Sequence, residues 1–300
     1  MELRQLRYFV AAARALNFSE ASAKVNITQS TLSQQIRQLE DELGTQLFYR
    51  NSHSVKLTEE GERLLPLAID TLNSAESCAD AVKNIHGLVT GTLNIGVTYS
   101  FSPILTETML EFMQRYPGIK LNVYYKTMAE LLVMLSNYEV DFVLAFMPDN
   151  LRQEIESHIL FDSHLAAIVN KDHPLAGQPK AGIDDLRQYA IALPSPGLQA
   201  RNAFDRLLGA YAGTQRIKVE LNEVNILIQL VRHSQMVTVL AETSVYGNDD
   251  MRAIPIDIPG NKMAGSVLTL RGSYRKHATR TFIAMLTQSR AVLSRRNNWL

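Results

Sequence analysis

Between residues 28 and 37 the chain carries Thr28, Gln29, Ser30, Thr31, Ser33, Gln34 and Arg37. These hydroxyls, carboxamides and one guanidinium can read the donors and acceptors that base edges show in the DNA major groove. Leu32, Ile36, Leu39 and Leu43 are spaced four, three and four apart. That is one apolar stripe of a helix, with the polar set on its other face. Farther on, Arg50 and Lys56 flank the polar turn Asn51-Ser52-His53-Ser54, which itself carries His53. Cations on such a hairpin suit phosphates beside the minor groove.

These groups need a frame, and residues 1–57 read as one. Leu6, Phe9, Val10 and Ala13 recur at helical spacing. Leu16 and Phe18 close that helix, and Ser19 reads as the N-cap of the next. Ala21, Ala23 and Val25 make a short small-residue helix, ended by Asn26, which tolerates the left-handed conformation. The polar-faced helix follows, with Gly44 as its C-cap. Leu47 to Arg50 and Val55 to Leu57 then read as a hairpin. Two short helices, a turn, a polar-faced helix and a basic hairpin make a winged helix-turn-helix. Pattern alone leaves one alternative, a small helical subdomain whose polar face meets only water.

The run from Leu3 to Arg50, followed by Leu57-Thr58-Glu59-Glu60-Gly61, resembles the N-terminal domain of LysR-type transcriptional regulators. The specific stretches are Ala21 to Ala23, Thr28 to Ser30, Leu32 to Ile36, Leu39-Glu40, Leu43-Gly44 and Leu47-Phe48 with Arg50. The resemblance implies that Thr28, Gln29, Ser30, Thr31, Ser33, Gln34 and Arg37 lie at or near DNA. It makes Arg50, His53 and Lys56 the wing. The partners it implies are double-stranded promoter DNA, further copies of the chain as a homodimer or homotetramer, RNA polymerase and a small-molecule effector. Effector binding would shift the four reading heads of a tetramer and change DNA bending.

Residues 58–87 read as a linker helix. Thr58 is a good N-cap, and Glu59 and Glu60 suit the first turn. Leu65, Ala68, Leu72, Ala75, Ala79 and Val82 are spaced three, four, three, four and three, an a/d seam. A narrow apolar stripe on a long helix needs a partner. A second copy is the simplest one, as in the family the chain resembles; packing on the same chain is the other. Pro66 predicts a kink. Cys78 falls off the seam and reads as a half-buried, unreactive side chain.

From residue 88 to 300 strands and helices alternate. Thr92–Val97, Leu121–Tyr125 and Asp141–Phe146 read as strands. Ser102 before Pro103 reads as an N-cap, with Leu105, Met109, Leu110, Phe112 and Met113 on the helix that follows. Thr127 to Glu130 is a capping box. This rhythm predicts α/β architecture, a parallel sheet with helices on both faces. The region resembles the LysR-type effector domain, two-lobed and similar to bacterial solute-binding proteins. The lobes expected are 88–161 with 266–300, and 162–265, with crossings near Phe161-Asp162 and Gly265-Ser266. His233 to Met236 stand where that family's pattern has a glycine pair.

Open α/β sheets bind ligands beyond the carboxyl ends of their strands, where helix N-termini offer N–H groups. Thr98, Tyr99, Ser100, Phe101 and Ser102 occupy the first such turn, Thr127 and Met128 the second, and Phe146 ends the third strand. Ser195 and Gly197, then Glu223 and Asn225, are the counterparts in the other lobe. Any single hydroxyl here could equally be a plain cap. No cation stands at Phe146, so a neutral or monoanionic effector with an apolar part is expected.

Composition excludes other classes. With 46% hydrophobic and 20% charged residues the chain is neither disordered nor fibrous. Its longest apolar run, Phe142 to Met147, is far below the roughly 20 residues a bilayer span needs. The N-terminus reads as neither signal peptide nor tag, and one cysteine permits no intrachain disulfide, which together predict a cytoplasmic protein. Thirty basic and thirty acidic residues cancel, so net charge does not speak for nucleic acid. The last thirty residues nevertheless hold seven cations and no acid. The seven histidines show no metal-ligand spacing, and there is no nucleophile or phosphate-loop motif, so neither catalysis, metal nor cofactor is expected. A small-molecule-binding protein without regulatory DNA binding is the rival reading, but it leaves the N-terminal residues unexplained.

Overall fold

The computed structural model describes residues 1–50, 55–83, 90–148, 150–209, 216–273 and 275–297. They form two compact units, Met1–Gly87 with Gly272–Lys276, and Leu88–Arg271 with His277–Leu300.

In the first unit, α1 (Leu3–Ala15) buries Leu6, Phe9, Val10 and Ala13 and ends at Leu16 in the left-handed conformation. The cap of α2 (Phe18–Lys24) is Asn17, not Ser19: its Oδ1 accepts from the backbone N–H groups of Ser19 at 2.9 Å and Glu20 at 3.1 Å. Asn26 sits at φ 54° and turns the chain. Thr28 then caps α3 (Gln29–Leu43) by accepting from Thr31 N–H, and Gly44 closes it at φ 68°. Leu32, Ile36 and Leu39 are fully buried, but Leu43, in the last turn, is 40% exposed.

Strands β1 (Phe48–Arg50) and β2 (Val55–Leu57) pair antiparallel. The Phe48 ring meets Phe9 and Phe18 edge-on at centroid distances of 5.6 and 5.4 Å, so one side chain ties the hairpin to α1 and α2. Glu40 fixes the hairpin to α3: its buried carboxylate accepts from the N–H groups of Leu47 at 2.9 Å and Phe48 at 3.3 Å.

Helix α4 (Glu59–Lys83) begins at Thr58, whose hydroxyl accepts from Gly61 N–H and donates to the Gln46 carbonyl. Gly61 admits no side chain, because a Cβ would lie 2.3 Å from the Leu47 carbonyl oxygen. The helix continues through Pro66. Cys78 is exposed, not half-buried.

The second unit has two lobes. In the first, β3 (Gly91–Val97), β4 (Ile119–Tyr125), β5 (Phe142–Phe146), β6 (Ile155–Ser163) and β12 (Met263–Leu270) lie in the order β4-β3-β5-β12-β6. β4, β3 and β5 pair parallel; β12 runs antiparallel to both its neighbours, β5 and β6, so the sheet is mixed. The cause is the chain's return from the other lobe. Helices α5 (Ser102–Arg115), α10 (His277–Thr287) and α11 (Arg290–Asn297) supply a core on one face, around Phe112, Phe282 and Val292. Helix α6 (Met128–Ser136) supplies the other, through Leu131 and Leu135. Leu105 and Phe112 of α5 are buried, whereas Leu110 and Met113 face outward.

In the second lobe β7 (Leu165–Asn170) pairs antiparallel with β10 (Thr238–Ala241) and β11 (Met251–Pro255), while β8 (Ile191–Pro194) pairs parallel with β9 (Ile217–Leu221). Backbone bonds of Ala192 and Val237 join β8 to the start of β10. The combined order, β9-β8-β10-β7-β11, repeats that of the first lobe. Helices α7 (Ile183–Arg187), α8 (Gln199–Leu208) and α9 (Val224–Arg232) complete this lobe. The first sheet ends at Ser163 and the second begins at Leu165, so the chain crosses at His164. It is back in the first sheet by Met263, earlier than Gly265-Ser266. Those two residues instead mark a register shift within β12, where Gly265 lets the Phe161 ring approach to 2.5 Å of where a Cβ would stand. The turn at His233 to Met236 manages without glycines: Ser234 Oγ donates to the Leu230 carbonyl and accepts from Met236 N–H.

Candidate functional site

On α3, Gln29, Ser30, Thr31, Gln34 and Arg37 are exposed or nearly so along one face, and Ser33 is half-buried. The Thr28 hydroxyl lies 3.0 Å from Ser30 Oγ and 2.8 Å from Thr31 Oγ1 while it caps the helix, so its first task is local. Gln34 and Arg37 thus stand out from a helix whose opposite face is sealed by Leu32, Ile36 and Leu39. A surface hollow of about 660 Å³ at the C-terminal end of α3 is lined by Arg37, Glu40, Asp41 and Gln46. Its two carboxylates make it a poor seat for phosphate. On the hairpin Lys56 is exposed and pairs in register with Tyr49, which is also exposed. Tyr49 escaped the sequence reading because an aromatic in a strand usually means core. His53 and the side chain of Arg50 lie outside the described residues.

The proposed seam of α4 divides. Ala68 is buried with Ile69, where α4 packs on α1 of the same chain. Leu65, Leu72 and Ala75 are half-buried, and Ala79 is exposed. The side chain of Val82 lies outside the described residues.

In the two-lobed unit a cavity of about 540 Å³ opens between the strand ends. Tyr99, Ser102, Thr127, Glu223 and Asn225 line it, together with Tyr125, Lys126, Glu130, Leu198 and Asn222. A narrow inner chamber of about 30 Å³ adjoins it, lined by Thr98, Tyr99, Ser100, Thr127, Met128 and Gln199 among others. Among the contacts that cross between the lobes, two lie at the cavities. Tyr99 Oη donates to Asn225 Oδ1 at 2.8 Å. Gln199 holds the backbone of Phe146 at both ends: Phe146 N–H donates to Oε1 at 3.1 Å and Nε2 donates to Phe146 O at 2.7 Å. Burial, with Glu223 and Tyr125 adding, pushes the Tyr99 phenol up to about 12, so it remains a donor.

Several expected residues have their side chains engaged by the core or by local turns. Phe101 and Phe146 have side chains in the core, their rings tilted against each other at 5.2 Å with Phe161 beside them, because the apolar lobe interior claims both. Ser100 belongs to a buried 3₁₀ turn, Tyr99–Phe101, and meets Ser244 Oγ at 3.4 Å; it does not start a helix. Ser102 is the first residue of α5, capped by Phe101, and its hydroxyl donates to the Tyr99 carbonyl. Ser195 and Gly197 are not among the lining residues of either cavity, since α8 begins only after Leu198.

Electrostatics also differ from expectation. Glu130 bonds back to Thr127 at the start of α6, and Glu223 accepts from Asn225 N–H at the start of α9. Both helix ends are therefore already met by the chain's own carboxylates. The Thr127 hydroxyl, then its backbone N–H and Lys126, hold the Glu130 carboxyl below its usual range. Lys126 Nζ, 3.6 Å from Glu130, supplies the cation that sequence reading did not place here. Arg201 is only 11% exposed but is held by Asp205, Glu220 and the Pro194 carbonyl. Among the described residues no group of three or more His, Cys, Asp or Glu could hold a metal.

An exposed polar-faced helix beside a short basic hairpin, and a two-lobed sheet pair with a cavity at its strand ends, define a one-component regulator. The family model "Bacterial regulatory helix-turn-helix protein, lysR family" matches residues 3–62, and "LysR substrate binding domain" matches residues 86–291. The chain belongs to the LysR family of transcriptional regulators. It is 29% identical over 261 residues to the RuBisCO operon transcriptional regulator of Allochromatium vinosum, covering 87% of this chain and 86% of that one. It is 31% identical over 239 residues to the HTH-type transcriptional regulator BudR of Raoultella terrigena, covering 79% and 81%. A full-length OxyR variant from Pseudomonas aeruginosa shares the fold, with a TM-score of 0.70 at 22% identity over 97% of this chain and 94% of that one. Among the described residues no helix is long and apolar enough to cross a membrane.

Proposed function

We propose that the chain works in the cytoplasm as a homo-oligomer on promoter DNA. In this reading Gln29, Ser30, Thr31, Ser33, Gln34 and Arg37 read bases, while Arg50, His53 and Lys56 hold phosphates. The unburied part of the α4 seam pairs two copies. The cavity between the lobes takes a small effector, and its occupancy changes how the oligomer bends DNA and meets RNA polymerase. The observation that carries the reading is the α3 face: exposed donors and acceptors on a helix whose other side is sealed. Footprinting of the purified chain on the DNA flanking its own gene tests it, with a protected two-half-site sequence expected. No protection at low salt would favour a ligand-binding protein without a DNA target. A metabolite screen by thermal shift tests the cavity, since a ligand of the native state raises the melting temperature.

The effector expected is neutral or zwitterionic. Glu130 and Glu223 occupy two helix ends that would otherwise attract an anion, and Lys126 balances only one of them. A dianion would meet these carboxylates at close range.

A further inference from the structure

The inner chamber is too small for the task usually given to such a cleft. About 30 Å³ admits a water or two, whereas metabolite sites run to several hundred. Gln199 is one of its walls. Strands β3 and β5 are the pair between which chain order reverses, the place where open α/β sheets bind ligands. Strand β3 ends opposite Leu144, which leaves the backbone of Phe146 without a partner from that strand. A bound molecule would ordinarily meet this N–H and C=O. Here the carboxamide of Gln199, fifty-three residues away in the other lobe, meets both.

We propose that Gln199 is an internal ligand: its carboxamide latches the lobes by occupying the Phe146 backbone, and an effector with a hydrogen-bond donor beside an acceptor displaces it. Primary carboxamides, lactams and nucleobase edges have that chemistry. A carboxylate does not, because it cannot donate to Phe146 O. The proposal rests on the cleft being the effector site and adds which group the effector must present and which contact it must break. The Tyr99–Asn225 bond crosses the same gap, so the lobes stay tied there by a second side-chain bond when Gln199 lets go.

The test uses the full-length protein, hydrogen exchange at the Phe146 amide, and propionamide as probe. In Gln199→Ala that amide should exchange about tenfold faster, the loss expected for one hydrogen bond. Millimolar propionamide should restore the slow rate in the variant, and propionate or propanol should not. Gln199→Glu keeps an acceptor for the N–H but loses the donor, so it should exchange at an intermediate rate. An unchanged rate in Gln199→Ala, or restoration by propionate as good as by propionamide, overturns the proposal. Failure of the cleft as an effector site reads differently. A metabolite that stabilises the wild type would then stabilise a cavity-blocking Ser102→Trp variant equally, whatever Gln199 does.

Discussion

Gln34 and Lys56 are both on the open side of the DNA-binding unit, yet they should fail differently. A carboxamide that makes a bidentate contact with a base contributes about 1–3 kcal/mol of discrimination. Gln34→Ala is therefore expected to lower specific over non-specific binding by roughly that amount. In the proposed reading Lys56 holds a phosphate, so Lys56→Ala should weaken all DNA alike and flatten the salt dependence. Footprints of each variant at two salt concentrations separate the roles. Equal loss of specificity from both would remove the distinction. His173 makes a different residue-scale prediction. It is buried in the effector unit, its Nδ1 accepts from Leu175 N–H at 3.1 Å, and its ring packs on Tyr189. Burial holds its basicity below the ordinary histidine value of 6.5, only partly offset by the Gln235 carbonyl. Because the folded value is depressed, the unfolded chain binds the proton first as pH falls. The stabilising contribution is present above pH 6.5 and is lost as pH drops through the lower folded value. Chemical denaturation from pH 7 downward should show that slope, and His173→Asn, which keeps a capping acceptor, should reduce it.

At the scale of elements, two joints carry the DNA-binding unit. Glu40 joins α3 to the hairpin through the N–H groups of Leu47 and Phe48. Glu40→Ala leaves both donors buried without that acceptor and should cost about 1–3 kcal/mol. Glu40→Gln, which retains a carbonyl acceptor, should cost less, as denaturant midpoints would show. The second joint is α4. Its N-terminal half is already engaged by α1 through Ala68 and Ile69, so among the described residues the stretch around Leu72, Ala75 and Ala79 is the part of the seam proposed for a second copy. Leu72→Glu would bury a charge without a partner there. Light scattering should find monomers with unchanged helical content, and a mass still equal to the wild-type oligomer would show that assembly uses another surface.

For the effector unit as a whole, Tyr99–Asn225 and Gln199–Phe146 close the same gap from its two lobes. Groups that share one hinge do not act additively. Tyr99→Phe and Gln199→Ala should each destabilise by about 1 kcal/mol. The double variant should lose less than their sum, because once one latch is gone the other holds an already loosened pair. Thermal unfolding of the four proteins in the cycle measures the coupling, and strict additivity would mean that the lobes do not move as bodies.

What the sequence determined alone is what depends on short spacing. The caps at Thr28, Thr58 and Thr127 bond to residues three positions on, so residue order fixes them. The stripe of Leu32, Ile36 and Leu39 follows from the period of one helix, and it places Gln34 and Arg37 on the open side. The left-handed turn at Asn26 is likewise a property of its own residue type. The cleft was legible only in part, because which groups meet there is decided by how distant segments pack. Phe101 and Phe146 read as ligand-facing aromatics at strand ends, but the core between sheet and helices takes both rings. Tyr99 and Asn225 stand 126 residues apart, and Gln199 and Phe146 stand 53 apart. No local rule relates such pairs. Their hydrogen bonds exist because two sheets of the same strand order, joined by crossings at His164 and before Met263, bring their strand ends face to face.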